Sequence, residues 1–296
     1  MKEPARGQRS RLAPLDTDLN SQTFDGHPAA LDNVMKETWD TRIRRAEQLA
    51  ARSEAAGELL SFYGTLLRAQ KEGYEYLRGR KGWLPSGALE ADLPFVRATL
   101  PGLLRAVAAS GPPALAEEAR ALSQAGEGEI DEALLEQWRA PSDTRFFSKA
   151  LLQPYARWLA ESGAPPVARD SERREGRCPF CGGKPQVSFL HTSDPGAESG
   201  GRGLVCSACL TVWPFRRVVC ASCGEERPAK LGYFQSPEYE HVRVEACDTC
   251  RRYIKGVDLT RLGLAVPLVD EVAAAALDVW ACEHGYTKIE LNLLGL

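Results

Sequence analysis

The first 177 residues contain no cysteine, and the four histidines of the chain (His27, His191, His241, His284) are too scattered to complete a catalytic triad. Without a convergent acid, base and nucleophile, a stand-alone enzyme ranks last among the readings. Nowhere is there a run of about 18 apolar residues, so no transmembrane helix and no membrane insertion are expected. Nor is one sign of charge in excess. With 37 Lys and Arg against 40 Asp and Glu, the formal net charge is −3, which gives no global reason for nucleic acid or an acidic membrane surface. Met1 to about Gly26 is polar, is broken by Pro4 and Pro14, and lacks the apolar stretch of a secretory signal. It reads as a disordered leader, residues 1–26, of a cytoplasmic protein.

The cysteines that are present crowd together. Eight of the nine form four Cys-x-x-Cys pairs between residues 178 and 250. A chain without a secretory signal is a poor setting for a disulfide framework, so this usage points to metal. Cys282 stands alone on a predicted late helix beside Trp280 and reads as a buried structural residue.

Ahead of the cysteines the pattern is helical. Leu31 to Ala56 is rich in good helix formers, and Leu59, Tyr63, Leu66 and Leu67 recur at the spacing of one helical face. After a turn at Gly82, Pro85 and Gly87, one helix is expected from about Leu93 to Ala109 with a kink at Pro101. Short helices follow near 114–123 and 130–139. A last long one spans about 143–162, with Asp143 as N-cap and Phe147, Leu151, Tyr155 and Trp158 on one side. These elements predict an all-α domain over 27–168. The charged run after Pro165-Pro166 marks a linker at 169–177.

Beyond the linker the pattern changes to short strands such as Gln186 to Leu190, Leu210 to Val219 and Lys230 to Phe234. One more helix is expected over Val269 to Ala281, and a final strand or docked tail over Thr287 to Leu294. Cys178-Pro-Phe-Cys181-Gly leads to Cys206-Ser-Ala-Cys209, and Cys220-Ala-Ser-Cys223-Gly leads to Cys247-Asp-Thr-Cys250. The leading cysteines are 42 residues apart and the trailing ones 41, as a tandem duplication would leave them. The expected fold is therefore multidomain, α and α+β: an all-α helical domain followed by two tandem rubredoxin-like or zinc-ribbon-like modules, 178–218 and 219–296.

Two residues between cysteines let a tight turn wrap an ion with both sulfurs converging, and Gly182 and Gly224 after the first pairs supply a positive φ. Zinc and iron both accept four thiolates in a tetrahedron. The expected ligand sets are Cys178, Cys181, Cys206 and Cys209 for one ion, and Cys220, Cys223, Cys247 and Cys250 for the other. Interleaved pairing stays open, although the repeat favours local closure. Spacing alone favours scaffolding over redox chemistry. His191 and His241 are candidates for contacts behind the ligands. Arg177, Arg216, Arg217, Arg251 and Arg252 flank the pairs and offset thiolate charge or form a nucleic-acid patch. From Arg169 to Asp258 there are 14 Lys and Arg against 12 Asp and Glu, which makes nucleic acid unlikely as a partner.

The helical segment, the Cys178-Pro-Phe-Cys181-Gly motif and the three further pairs together resemble the bacterial formate dehydrogenase accessory protein family, FdhE. Phe146 to Tyr155, Asp270-Glu-Val-Ala and Asn292-Leu-Leu-Gly295 extend the resemblance over nearly the whole chain after residue 26. The resemblance implies a cytoplasmic maturation factor that is not itself an enzyme. It would bind the catalytic subunit of respiratory formate dehydrogenase before export, and would carry two iron ions, with zinc as the alternative, on the eight paired cysteines. Electron transfer is the first alternative function, a zinc-ribbon nucleic-acid binder the second, and a homo-oligomer is compatible with all three. One departure from rubredoxin is that Leu210 and Arg251, not glycines, follow the second pairs. Less symmetric sites are expected from it.

Overall fold

The computed structural model describes residue 34 and residues 37–164, 175–192 and 200–296. The leader expected over 1–26 and the 169–174 part of the linker lie outside the described residues.

Among the described residues the first layer is formed by α1 (Trp39–Ala50), α2 (Gly57–Arg78), α3 (Leu89–Arg97), α4 (Leu100–Ser110), α5 (Pro113–Leu122), α6 (Glu127–Arg139) and α7 (Phe146–Glu161). Thr38 caps α1 by accepting the Thr41 N–H, and Asp40 complements the dipole in the first turn. Of the apolar face read in α2, Tyr63, Leu66 and Leu67 are buried and Leu59 is half-buried, with Leu60 taking the buried place beside it, and the stripe continues to Leu77. The helix expected over 93–109 is instead two. The chain breaks at Ala98–Thr99, and Pro101 sits in the first turn of α4, where a missing N–H has no helical partner to lose. Asp143 does not cap α7, which begins three residues later. It pairs instead with Lys149 Nζ at 2.5 Å.

Helix α7 is buried on almost every side from Phe147 to Ala156 because it lies between the other helices and the cysteine-bearing region. Pro154 interrupts its ladder and frees the carbonyl of Ala150 four residues earlier. Gln70 Nε2 of α2 fills that gap, donating to Ala150 O at 2.9 Å. The orphan acceptor thus becomes the point where α2 and α7 are joined.

The second region is one seven-stranded sheet. Its strands are β1 (Pro185–His191), β2 (Gly201–Cys206), β3 (Val212–Phe215), β4 (Leu231–Gln235), β5 (Val242–Cys247), β6 (Arg252–Asp258) and the short β7 (Thr287–Lys288). The order is β3-β2-β1-β6-β5-β4, with β7 on β6. Each half is an antiparallel meander of three strands, and the halves join through a parallel seam in which Val187 pairs with Lys255 and Leu190 with Asp258. The duplicated units therefore share one sheet, arranged head to tail. At the outer edge, β3 carries Pro214 opposite Gly203, and proline on an edge strand withholds a donor from further pairing.

One face of the sheet, with Val187, Phe189, Val205, Val244 and Val257, packs on α8 (Pro267–Ala273), α9 (Ala275–Glu283) and the inner side of α1 and α2. The single late helix expected over 269–281 is broken at Ala274, whose ψ of 40° leaves the helical basin. Under it lies a buried ionic cluster. Lys255 meets Glu271 at 2.8 Å and also Asp278, while Lys288 meets Glu271 at 3.0 Å and Asp278 at 3.3 Å. Two lysines balance two carboxylates, which is the condition for burying them at all. A second pairing, Arg45 to Asp270 at 2.5 Å with His241 on the same carboxylate at 2.8 Å, fastens α1 to α8.

Candidate metal centres

Each Cys-x-x-Cys pair is carried on the same turn. The N–H of the first cysteine donates to the carbonyl five residues on: Cys178 to Gly183, Cys206 to Thr211 and Cys220 to Glu225, each at 2.9 Å. The residue after the second cysteine donates back, as Gly182 does to Cys178, Gly224 to Cys220 and Arg251 to Cys247. Closing this turn requires a left-handed residue after the second cysteine. Gly182 and Gly224 supply it with φ of 68° and 75°, and so do Leu210 and Arg251, with φ of 58° and 56°. The asymmetry expected from the missing glycines is therefore absent from the backbone. All four turns adopt one conformation, and two of them carry a strained residue to do so. Amide N–H groups point at sulfur, from Ala208 to Cys206 and from Ser222 to Cys220, both at 3.4 Å.

The turns bring the eight cysteines into two groups, Cys178, Cys181, Cys206 and Cys209, and Cys220, Cys223, Cys247 and Cys250, each with all sulfurs within 4.8 Å of one another. Closure is local, and interleaved pairing is not what the structure forms. In the first group Cys178 and Cys209 sulfurs are 3.5 Å apart and Cys181 and Cys206 3.4 Å. In the second the corresponding separations are 3.7 and 3.8 Å. Four sulfurs at about 2.3 Å from one ion would be about 3.8 Å apart, so both groups fit a tetrahedral tetrathiolate site. They are far outside the S–S bond length of about 2.05 Å. Each is a donor set able to hold one metal ion. The first set also shows why it needs a cation: hydrogen bonds from Cys181, Cys206 and Cys209 hold the Cys178 thiol low, while burial pushes Cys206 and Cys209 up. Four thiolates cannot share that volume without a positive charge between them.

The two centres differ in their surroundings. In centre one all four cysteines are at most 3% exposed. Helix α7 holds its second turn at both ends: Gln153 Nε2 donates to Ser207 O at 2.8 Å, and Arg157 Nη1 to Leu210 O at 3.1 Å. Gln153 is itself gripped by Gln70 at 3.0 Å, so a continuous polar chain runs from α2 through α7 to the knuckle. Gly183 lets the backbone lie against the centre, since a Cβ there would come within 3.0 Å of the Cys206 sulfur. In centre two Cys220 and Cys247 are buried, Cys250 is half-buried and Cys223 is exposed. Its turns are held from outside, by Thr249 Oγ1 to Glu225 at 2.5 Å and by Arg251 Nη2 to His284 O at 2.6 Å.

Other candidates fall elsewhere. Cys282 is exposed, contrary to expectation, because α9 buries Leu277, Asp278 and Ala281 and leaves Cys282 outside that stripe. His191 packs at a tilt against Phe189 and its Nδ1 lies 3.2 Å from Thr192 O, and His241 binds Asp270, so neither acts behind the sulfurs. Arg216 is claimed by Glu175 and Glu226 at 2.8 and 2.7 Å, and Arg251 by Asp248 and the Tyr286 ring. Gln70, Gln153 and Arg157 were not singled out by the sequence. The signal available for them was the proline at 154 within an otherwise helical stretch, which demands an outside donor for Ala150.

A helical layer docked on a sheet of two four-cysteine knuckle units defines a class, that of two-centre tetracysteine proteins with rubredoxin-like turns. The matches to known proteins agree with that class. Family models match in order, "FdhE, central domain" over residues 177–217 and "FdhE, C-terminal domain" over 218–294. The FdhE homolog of Aquifex aeolicus is 36% identical over 206 residues, covering 68% of this chain and 70% of that protein. The homolog of Pseudomonas aeruginosa is 33% identical over 157 residues, 50% of this chain and 48% of its own length. FdhE of Escherichia coli O1:K1 is 30% identical over 154 residues, 51% and 48% respectively, so the chain spans about half the length of these last two. The crystal structure of the FdhE protein from Pseudomonas aeruginosa superposes with a TM-score of 0.63 at 25% identity, covering 88% of this chain and 97% of that one. The chain belongs to the FdhE family.

Proposed function

We propose that this protein is an accessory factor in the maturation of respiratory formate dehydrogenase, acting in the cytoplasm by binding the catalytic subunit, with one metal ion on each four-cysteine centre and no turnover of formate of its own. The observation that supports it is the joining of the family's two matched domains into one sheet with both cysteine sets closed. In this reading Cys178, Cys181, Cys206 and Cys209 hold the ion that locks the sheet to the helical layer through α7. Cys220, Cys223, Cys247 and Cys250 hold the ion at the accessible end. Iron is the metal the family resemblance favours, and the tetrathiolate donor set accepts zinc equally. When bound, the ion supplies charge compensation and cross-linking, and with iron also a one-electron couple.

Electron carriage is the second reading, and one observation favours it: all four turns take the left-handed conformation of a symmetric rubredoxin-like centre despite Leu210 and Arg251. A reversible visible spectrum on reduction would support it. Nucleic-acid binding loses ground, because Arg216 and Arg251 are engaged with carboxylates of the chain itself.

The test is co-purification of the tagged protein from anaerobically grown cells beside a Cys178→Ser/Cys247→Ser variant. Capture of the dehydrogenase catalytic subunit by the wild type alone is expected. Capture by both moves recognition to the helical layer, and capture by neither removes the accessory reading.

A further inference from the structure

Four arginines from four segments meet at one cavity of about 120 Å³ beside the second centre. Arg202 comes from β2, Arg217 from the stretch after β3, Arg243 from β5 and Arg252 from the start of β6. Among the described residues the one carboxylate on the wall is Glu245, and it is already shared, with Arg202 Nη2 at 2.6 Å and Arg243 Nη2 at 2.8 Å. Among the described residues the Arg217 guanidinium donates only to the carbonyl of Gly200, at 3.1 Å, and the Arg252 guanidinium has no hydrogen bond or ion pair. Arg202 is 4% exposed, and although its terminal nitrogens are engaged, its Nε–H is buried without an acceptor. A buried charged donor left unpaired is destabilising, and native structures rarely keep one without cause.

The charge on the wall says what would satisfy it. Arg202, Arg217, Arg243 and Arg252 line the cavity with Glu245 as the one carboxylate among the described residues, so cationic side chains are in excess on its wall. The remaining wall is apolar, with Val219, Leu231 and Ile254 among its residues. A dry cavity of about 150 Å³ takes up benzene, so this one admits an anion of a few heavy atoms. Guanidinium forks match the two oxygens of a carboxylate in one plane. We propose that the cavity is a binding site for a small monocarboxylate, held by Arg202, Arg217 and Arg252 next to the second cysteine centre. A phosphate dianion would set a second negative charge against the Glu245 carboxylate and is disfavoured.

The experiment titrates acetate, and separately inorganic phosphate, into the metal-loaded full chain in a Tris buffer without other oxyanions, followed by amide chemical shifts. Arg252→Gln and Arg217→Gln alter the cavity at its accessible side and leave the buried Arg202–Glu245 pair intact, and Arg216→Gln is the control beyond it. Acetate is expected to saturate one site, with affinity weakened about tenfold or more in each cavity variant and unchanged in Arg216→Gln. Wild-type affinity in both cavity variants, or no saturable acetate binding, overturns the assignment. Phosphate binding tighter than acetate overturns the carboxylate class. Loss of metal from Arg252→Gln, with no acetate binding by the wild type, would make the arginines mere counter-charges to the thiolates. Binding is read on the isolated chain and is independent of any dehydrogenase partner.

Discussion

Centre one and centre two are copies of the same pair of turns, yet one is sealed and the other lies at the accessible end of the sheet. The difference comes from what each copy was packed against after duplication. Helix α7 lies on the first copy and hydrogen-bonds the carbonyls of Ser207 and Leu210, whereas the matching turn of the second copy ends in Arg251, which reaches outward to His284. Identical ligand chemistry thus serves two ends: the first ion would sit inside a shared core, and the second would remain within reach of solvent, reductant or partner.

The largest expected effect comes from attacking the sealed copy. Cys206→Ser removes a ligand that is fully buried and leaves a hydroxyl among three sulfurs. Metal content should fall by one ion, and thermal stability by several kcal/mol, on the order of 3 or more, since site binding is folding free energy. Cys223→Ser, on the exposed copy, should also cost one ion but much less in melting temperature. Equal losses in the two variants would erase the distinction between the centres.

Next is the ionic cluster under β6, the strand that follows the last ligand pair. Lys255→Met leaves Glu271 and Asp278 short of a partner and should destabilise by about 3–5 kcal/mol in denaturant unfolding. Acid should act on the same cluster. Although burial works against it, Glu271 is held down to about 2 by Lys255 and Lys288. A carboxylate with a folded pKa below its unfolded value near 4.5 adds stability that is complete above about 4.5. That stability is lost as pH falls toward 2. The stability slope between pH 5 and 3 should therefore be shallower in Glu271→Gln than in the wild type, as measured by chemical denaturation at each pH.

A kinetic comparison follows. With a thiol-competing chelator in excess, metal release should be biphasic, and Cys223→Ser should abolish the faster phase alone. A single phase in the wild type would contradict the difference in exposure. The smallest effect separates the two left-handed residues. Arg251→Gly should lie within about 1 kcal/mol of wild type, because relief of strain offsets the lost contacts. Leu210→Gly should be destabilising by about 1–2 kcal/mol, because the relief is outweighed by loss of a side chain that is 2% exposed. Thermal melts of the two variants give the sign.

Much of this was legible in the residues. The four pairs, their intervals and the glycines at 182 and 224 led to two local cysteine sets, and the apolar spacing in α2 and α7 led to a helical layer. What escaped depends on distant partners. Nothing in Pro185 to His191 announces that its next neighbour is β6, because a strand buried on both faces shows no alternation. Lys255, in Arg-Tyr-Ile-Lys-Gly-Val-Asp, reads as an exposed strand residue until Glu271 and Asp278 are folded over it. No local propensity marks the break at Ala274, and the stripe that α9 buries, with Cys282 outside it, is set by packing on distant strands. The strained φ of Leu210 and Arg251 was hidden for the opposite reason. Closure of the ligand set dictates that conformation, and the side chain present there does not reveal it.

The parallel seam also sets a timetable for synthesis. Val187 waits for Lys255, 68 residues further along, before its strand gains its second neighbour. A nascent chain emerging from the ribosome could load its first ion as soon as Cys209 appears, but it would carry β1 with one side unpaired until the last pair of cysteines had passed and β6 had followed. Any chaperone or metal donor that meets the growing chain in that interval meets an unfinished sheet edge, and it is the second unit, the more accessible of the two at maturity, that closes it.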